Sequence, residues 1–400
     1  MKDRKVVVAL AILLLAFLAI FWWQSLTFSV DTPLADDNSF SKILSQDAGS
    51  FVRALKPRKF SFPTDHGAHD QYRTEWWYFT GNLKNPYGRK FGYELTFFRF
   101  ALKAETPPSK SVWRNNQIYM AHVTLTDVED NHFYTDERLS RAGNNLAGAS
   151  NKKYQVWLQD WSASAIDDSG FPLRLQAKSA EFAIDLSLKT RKDLVLQGEQ
   201  GLSQKSEKLG NASYYYSYSR LMTEGSINIG DNKFSVMGDS WMDREWSTSS
   251  LSKEQAGWDW FALQLADNSE LMFYQLRRKD GQQDSNSSGS IILADSSKIP
   301  LKAQDVEIKV LDTWRSPHSN SIYPSKWHLS IPNQNLEIDV IPLINDQELN
   351  VSYRYWEGAV SVNGIKNGKS ISGQGYVELT GYKSLLVKYF SDRFSFNSAE

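Results

Sequence analysis

A chain of 400 residues, 41% apolar and 23% charged, is a globular body long enough to bury two hydrophobic cores. Its formal net charge of −1 excludes a surface built for the phosphate backbone, so nucleic acid is not an expected partner. Cysteine is absent, which excludes disulfides, thiolate metal sites, cysteine nucleophiles and lipid attachment at a cysteine.

Lys2, Arg4 and Lys5 precede an uncharged apolar run from Val6 to Trp23, about 18 residues and so at the lower limit for a membrane-spanning helix. Positive residues on that side hold the N-terminus in the cytoplasm and send the body across. Phe21, Trp22 and Trp23 suit the membrane interface, and only Pro33-Leu34-Ala35 offers a late cleavage pattern. An anchor over residues 1–25 is therefore favoured over a cleaved signal peptide. The body is expected to be exported, on the periplasmic side, anchored to the inner membrane or released by cleavage. Residues 26–59 read as a polar tether.

From Thr74 onward, short apolar or alternating runs are separated by turn residues: Asn85-Pro86-Tyr87-Gly88, Asp167-Asp168-Ser169-Gly170, Gly230-Asp231-Asn232, Lys279-Asp280-Gly281 and Asn363-Gly364. No apolar stripe of helical period follows the N-terminal run, so the body is expected to be all-β. Phe91, Tyr93, Leu95 and Phe97 fall on one face of a strand, with Gly92, Glu94 and Thr96 on the other. Trp76-Trp77-Tyr78-Phe79 is apolar on both faces, as in a strand with a packed core on one side and a second core or a cavity on the other.

An internal repeat points to two domains of shared architecture. Trp76, Phe79, Leu83 and Arg99 align with Trp258, Phe261, Leu265 and Arg277, and the polar stretch Ser247 to Gln255 lies between. Domains are expected over 60–248 and 249–392, each an antiparallel barrel or sandwich, with Gln282–Ser288 a polar loop in the second.

Asp239-Ser240-Trp241-Met242-Asp243-Arg244-Glu245-Trp246 is the densest run of chemistry. On a strand, Asp239, Trp241, Asp243 and Glu245 share a face opposite Ser240, Met242, Arg244 and Trp246. Acids beside indole rings in a dry cavity keep their protons at neutral pH and can donate them; the alternative is an Arg244–carboxylate cluster that satisfies buried charge. His122, in the apolar run Met120 to Val123, is either a general acid or a core histidine. Asp243, Glu245, Asp239 and His122 are thus the candidate catalytic groups. Glu75, Trp76, Trp77, Tyr78, Trp241, Arg244, Trp246, Trp258 and Trp260 are the candidate ligand-binding groups, with Glu75 paired to His122 or to an arginine. His66 and His69 are too few for a metal site, and their expected role is to fix the lead-in segment against the first barrel. Neither metal nor cofactor is expected. Nucleophile elbow, phosphate loop and dinucleotide fingerprint are all missing.

Several motifs resemble those of the AttH/carotenoid-hydratase-like lipocalin family: His66-Gly67-Ala68-His69, Thr74-Glu75-Trp76-Trp77-Tyr78-Phe79-Thr80-Gly81, Ala121-His122-Val123-Thr124 and the run Gly238 to Trp246. Gly257-Trp258-Asp259-Trp260-Phe261, Tyr355-Trp356-Glu357-Gly358 and Gly375 to Tyr382 extend the likeness, which spans Phe60 to Tyr389. The resemblance implies two lipocalin-like barrels in tandem, in exported proteins that often accompany ABC-type permeases and of which some hydrate an alkene. The carotenoid hydratases carry histidine where this chain has Arg244, and arginine cannot donate a proton at accessible pH. Two readings follow: a carrier of an apolar or amphipathic small molecule, or a hydratase of an isoprenoid-like alkene. A third has filled barrels and a surface that binds a permease.

Overall fold

The computed structural model describes residues 49–105, 111–113, 115–167, 170–249 and 251–382. The expected N-terminal helix and most of the tether lie outside the described residues, as do residues 383–392 of the expected second domain. Among the described residues no helix is long and apolar enough to cross a membrane; the helices there are three-residue 3-10 turns such as Thr64–His66.

The body is all-β. Its first sheet holds β1 (Thr74–Lys84), β2 (Lys90–Ala101), β3 (Gln117–Asp127), β4 (His132–Arg141), β5 (Ala147–Ser150), β6 (Gln155–Leu158) and β7 (Trp161–Ala165). It continues with β8 (Leu173–Lys178), β9 (Phe182–Thr190), β10 (Val195–Leu196), β11 (Leu202–Gln204), β12 (Ala212–Ile229) and β13 (Asn232–Ser247). The second sheet holds β14 (Gln255–Leu265), β15 (Glu270–Arg278), β16 (Ser288–Ile292), β17 (Lys298–Lys302) and β18 (Glu307–Arg315). Its remaining strands are β19 (Ile322–Ile331), β20 (Leu336–Pro342), β21 (Glu348–Asn350), β22 (Arg354–Lys366) and β23 (Lys369–Leu379). The strand orders are β4-β3-β2-β1-β13-β12-β9-β8-β7-β6-β5 and β17-β16-β15-β14-β23-β22-β20-β19-β18. Each sheet curls into a near-closed, lipocalin-like antiparallel barrel.

Most turn signals fall between strands, but Asn363-Gly364 does not. It lies inside β22, where a Cβ on Gly364 would meet the Glu337 carbonyl at 2.0 Å, so this glycine permits close strand approach. The turn comes four residues later, at Asn367-Gly368, where both φ angles are positive.

Strand alternation builds three cores. Trp77, Phe79, Phe97, Met242 and Trp246 point into the first barrel, and Phe261, Phe273, Trp327 and Trp356 fill the second. Tyr78, Phe98, Trp241, Trp260, Tyr274 and Tyr376, from the outward faces of both sheets, form a third cluster between the barrels. Gly92 lets the sheets close up: a Cβ there would lie 2.5 Å from that of Ala359.

The sequence left open whether the barrels are hollow or filled, and the packed cores answer it. The barrel interiors are filled by their own side chains, and the aromatic-walled cavity lies between the barrels.

Candidate functional site

The lead-in segment before β1 closes one end of the first barrel. His69 stacks on Trp246 with ring centroids 3.9 Å apart, and Trp77 Nε1 donates to the His66 carbonyl at 2.8 Å. Glu75, fully buried, accepts from Arg99 and Arg244 and from the His69 backbone N–H at 2.8 Å. Burial alone would raise its pKa; the two guanidinium groups overcome that and hold it well below the ordinary carboxylate range. Arg244 also lies 3.9 Å from the Trp77 ring centroid and donates to the Gly67 carbonyl at 2.6 Å. Glu75, Trp77, Arg244 and Trp246 therefore belong to the first barrel's interior. Among the described residues no cluster of three or more histidines and carboxylates is placed to hold a metal.

The other strand faces line the cleft, which opens to solvent. Its walls are aromatic: Trp76 and Tyr78 from β1, Phe98 from β2, Trp258 and Trp260 from β14, and Tyr355 from β22. Trp260 meets Tyr78 edge-on at 5.1 Å. The aligned Trp76 and Trp258 of the repeat thus face one shared space.

Carboxyl groups converge on this space. Asp243, 3% exposed, accepts from Trp241 Nε1 at 2.7 Å, Ser217 Oγ at 2.5 Å and Tyr215 OH at 2.6 Å. Burial still pushes it up to about 7, against those three donors and with help from Glu245. Glu378 is pushed up to about 8 by burial, opposed by a hydrogen bond from Trp258 and reinforced by Glu245 and Asp243. Glu357 pairs directly with Glu378 across β22 and β23 and accepts from Tyr78 OH at 2.9 Å. Burial, then Glu378 and Glu94, raises Glu357 well above the carboxylate range. Glu94, fully buried on β2 behind the lining, is raised likewise, first by burial. Glu245 differs: it accepts from Ser213 and pairs with Lys205 Nζ at 3.1 Å. That ammonium lies 3.9 Å from the Tyr274 ring centroid.

One carboxyl paired with an ammonium thus sits among acids that burial keeps protonated near neutral pH. Trp241 buttresses Asp243 from the same face. Asp239, also on that face, lies outside the lining, 3.6 Å from both Arg191 and Arg220. His122 is buried one layer behind Tyr355. Glu94, Glu357, Glu378 and Lys205 were not picked out from sequence; the first three carry a usable signal, the one acid of a strand with an apolar residue or glycine on either side.

The AttH-like family model matches residues 53–382. The chain belongs to the AttH-like family. It is 34% identical to a putative AttH protein from Nitrosomonas europaea, over 83% of this chain and all of that one, with a TM-score of 0.75. The kievitone hydratase of Nectria haematococca shares the fold at 15% identity, covering 85% of this chain and 97% of that one, with a TM-score of 0.62. No protein of curated function matches significantly. In this AttH-like chain, the quoted motifs divide between two tasks. Glu75, Trp77 and Arg244 close a barrel, while Trp76, Asp243, Trp258, Glu357 and Glu378 make the cleft.

Proposed function

We propose that the cleft binds an apolar or amphipathic unsaturated molecule, isoprenoid-like in character, and adds water across one of its double bonds. One observation carries this reading: the aromatic-walled space is faced by carboxylic acids held in their protonated form. An alkene needs such a donor. Its π pair takes the proton of Glu378 or Asp243, a C–H bond forms as the O–H bond breaks, and a carboxylate is left. The resulting cation lies against the electron-rich faces of Trp76, Trp258 and Trp260. Water captures it and sheds a proton. The Lys205–Glu245 pair gives the polar end of an amphipathic guest a fixed charge to meet. The fold neighbour that is a kievitone hydratase supports the same chemistry.

Arg244 does not argue against this. Its guanidinium is turned into the first barrel against Glu75, so the arginine that replaces the hydratases' histidine leaves the cleft acids untouched.

The test incubates the purified body with lycopene or kievitone in ¹⁸O-water and follows the product by mass spectrometry. A labelled gain of one water, lost in Glu378→Gln, supports hydration. Retention of unmodified guest would leave a carrier, and neither result would sink both readings. We further infer from Lys2, Arg4, Lys5 and the run Val6 to Trp23 that the body works on the periplasmic side, and from the family resemblance that an ABC-type permease is its partner. A C-terminal alkaline phosphatase reporter should then be active in cells; an inactive one refutes export.

A further inference from the structure

Glu137 on β4 has a side chain 18% exposed to solvent, and it faces His122 across the ladder to β3. His122 is fully buried, with Nε2 3.0 Å from Glu137 Oε2 and Nδ1 2.7 Å from Tyr355 OH. Tyr355 comes from the other barrel and lines the cleft. Three side chains from three strands therefore connect solvent to the cleft by hydrogen bonds. The contact is braced from the second barrel, because Ser352 donates to Glu137 through its backbone N–H at 3.2 Å and through its hydroxyl.

The protonation states follow from the surroundings. Burial lowers the pKa of His122, opposed by Glu137, so the imidazole is neutral. Burial would raise Glu137, but its bonds from His122 and Ser352 bring it below the ordinary value. A carboxylate only accepts, so Nε2 carries the hydrogen and Nδ1 accepts from the tyrosine hydroxyl. Tyr353 is a further titratable neighbour, with its ring 5.1 Å from that of His122, and Glu94, Glu357 and Glu378 act on Tyr355 from the cleft side.

We propose that Glu137, His122 and Tyr355 form a proton relay between solvent and the cleft, ending at Tyr355. In the outward direction Tyr355 takes a proton from the cleft and passes its own to Nδ1. Nε2 gives its proton to Glu137, which releases one to bulk water. This leaves His122 in the opposite tautomer, and an inward transfer restores it. Water addition needs one of each: the captured water sheds a proton, and the spent acid regains one. The relay rests on the protonated cleft acids of the hydration reading.

The test is hydrogen–deuterium exchange of the carboxylic C=O stretch, by infrared spectroscopy on the intact protein moved into D₂O with squalane, a saturated isoprenoid that cannot be hydrated, filling the cleft and shutting its mouth to water. The band is expected in the wild type. Tyr355→Phe and Glu137→Gln should slow its shift by on the order of tenfold, because each removes a proton carrier from an otherwise retained hydrogen-bond network. Amide exchange in the same spectra monitors loosening of the fold and should be unchanged. A band that shifts equally fast in both variants overturns the relay and leaves the hydration reading standing. The absence of any protonated-carboxyl band overturns the hydration reading itself, and the relay with it.

Discussion

Asp243→Asn should make the protein more stable at alkaline pH while impairing hydration. The carboxyl moves from an ordinary 3.8 to about 7 on folding, chiefly by burial. Below the unfolded value both states are neutral and the group has no effect. Between the two values the unfolded chain gives up a proton that the folded protein keeps, so stability falls as pH rises. Above the folded value the loss is constant, at roughly 4 kcal/mol. Asparagine has nearly the same shape and no charge to desolvate. Its amide must meet a hydroxyl that formerly donated, Tyr215 or Ser217, which offsets about 1 kcal/mol of the gain. The variant should therefore match the wild type near about pH 4 and exceed it by about 2–4 kcal/mol near about pH 8. Urea unfolding at a series of pH values measures this. A stability difference that does not change across that range would refute both the raised pKa and the neutral-acid account of the cleft.

Glu75→Gln should destabilise by about 3–5 kcal/mol, since it leaves the buried Arg99 and Arg244 guanidinium groups without their counter-charge. Glu75's own pKa is depressed, so its contribution is present above the unfolded value and lost as pH falls through the folded one; the urea-midpoint gap to the variant should narrow in acid. Gly92→Ala should cost about 1–3 kcal/mol by driving a methyl into Ala359, and adding Ala359→Gly should recover part of it in a double-mutant cycle. Additive losses would show that the barrels do not meet there.

The β architecture was legible because its signals are local. Alternation placed Phe91, Tyr93, Leu95 and Phe97 on one face, and all four point into the first barrel. Turn residues marked most hairpins, and the misplaced one at Asn363-Gly364 shows the limit: a glycine required for close strand approach reads the same as one required for a turn. The adjacent Trp76 and Trp77 announced two buried faces. Which face held a core and which a cleft is decided by how the barrels dock, and short-range pattern carries no trace of that. For the same reason Trp77, Arg244 and Trp246 could not be told from Trp76, Asp243 and Trp258.

The site was half legible. Alternation grouped Trp241, Asp243 and Glu245 on one face, but Asp239, two residues before Trp241, lies beyond the lining and meets arginines instead. Glu357 and Glu378 come from the far end of the chain, and only the second barrel's position brings them to Asp243. Their placement is nonetheless intelligible once seen. Glu94, Glu357 and Glu378 occupy strand positions where threonine or glutamine would fill similar space without a desolvation cost at alkaline pH. Packing does not require acids there. A fold that keeps several of them neutral beside aromatic rings gives up stability at just the positions where a proton donor is useful, as functional sites commonly do.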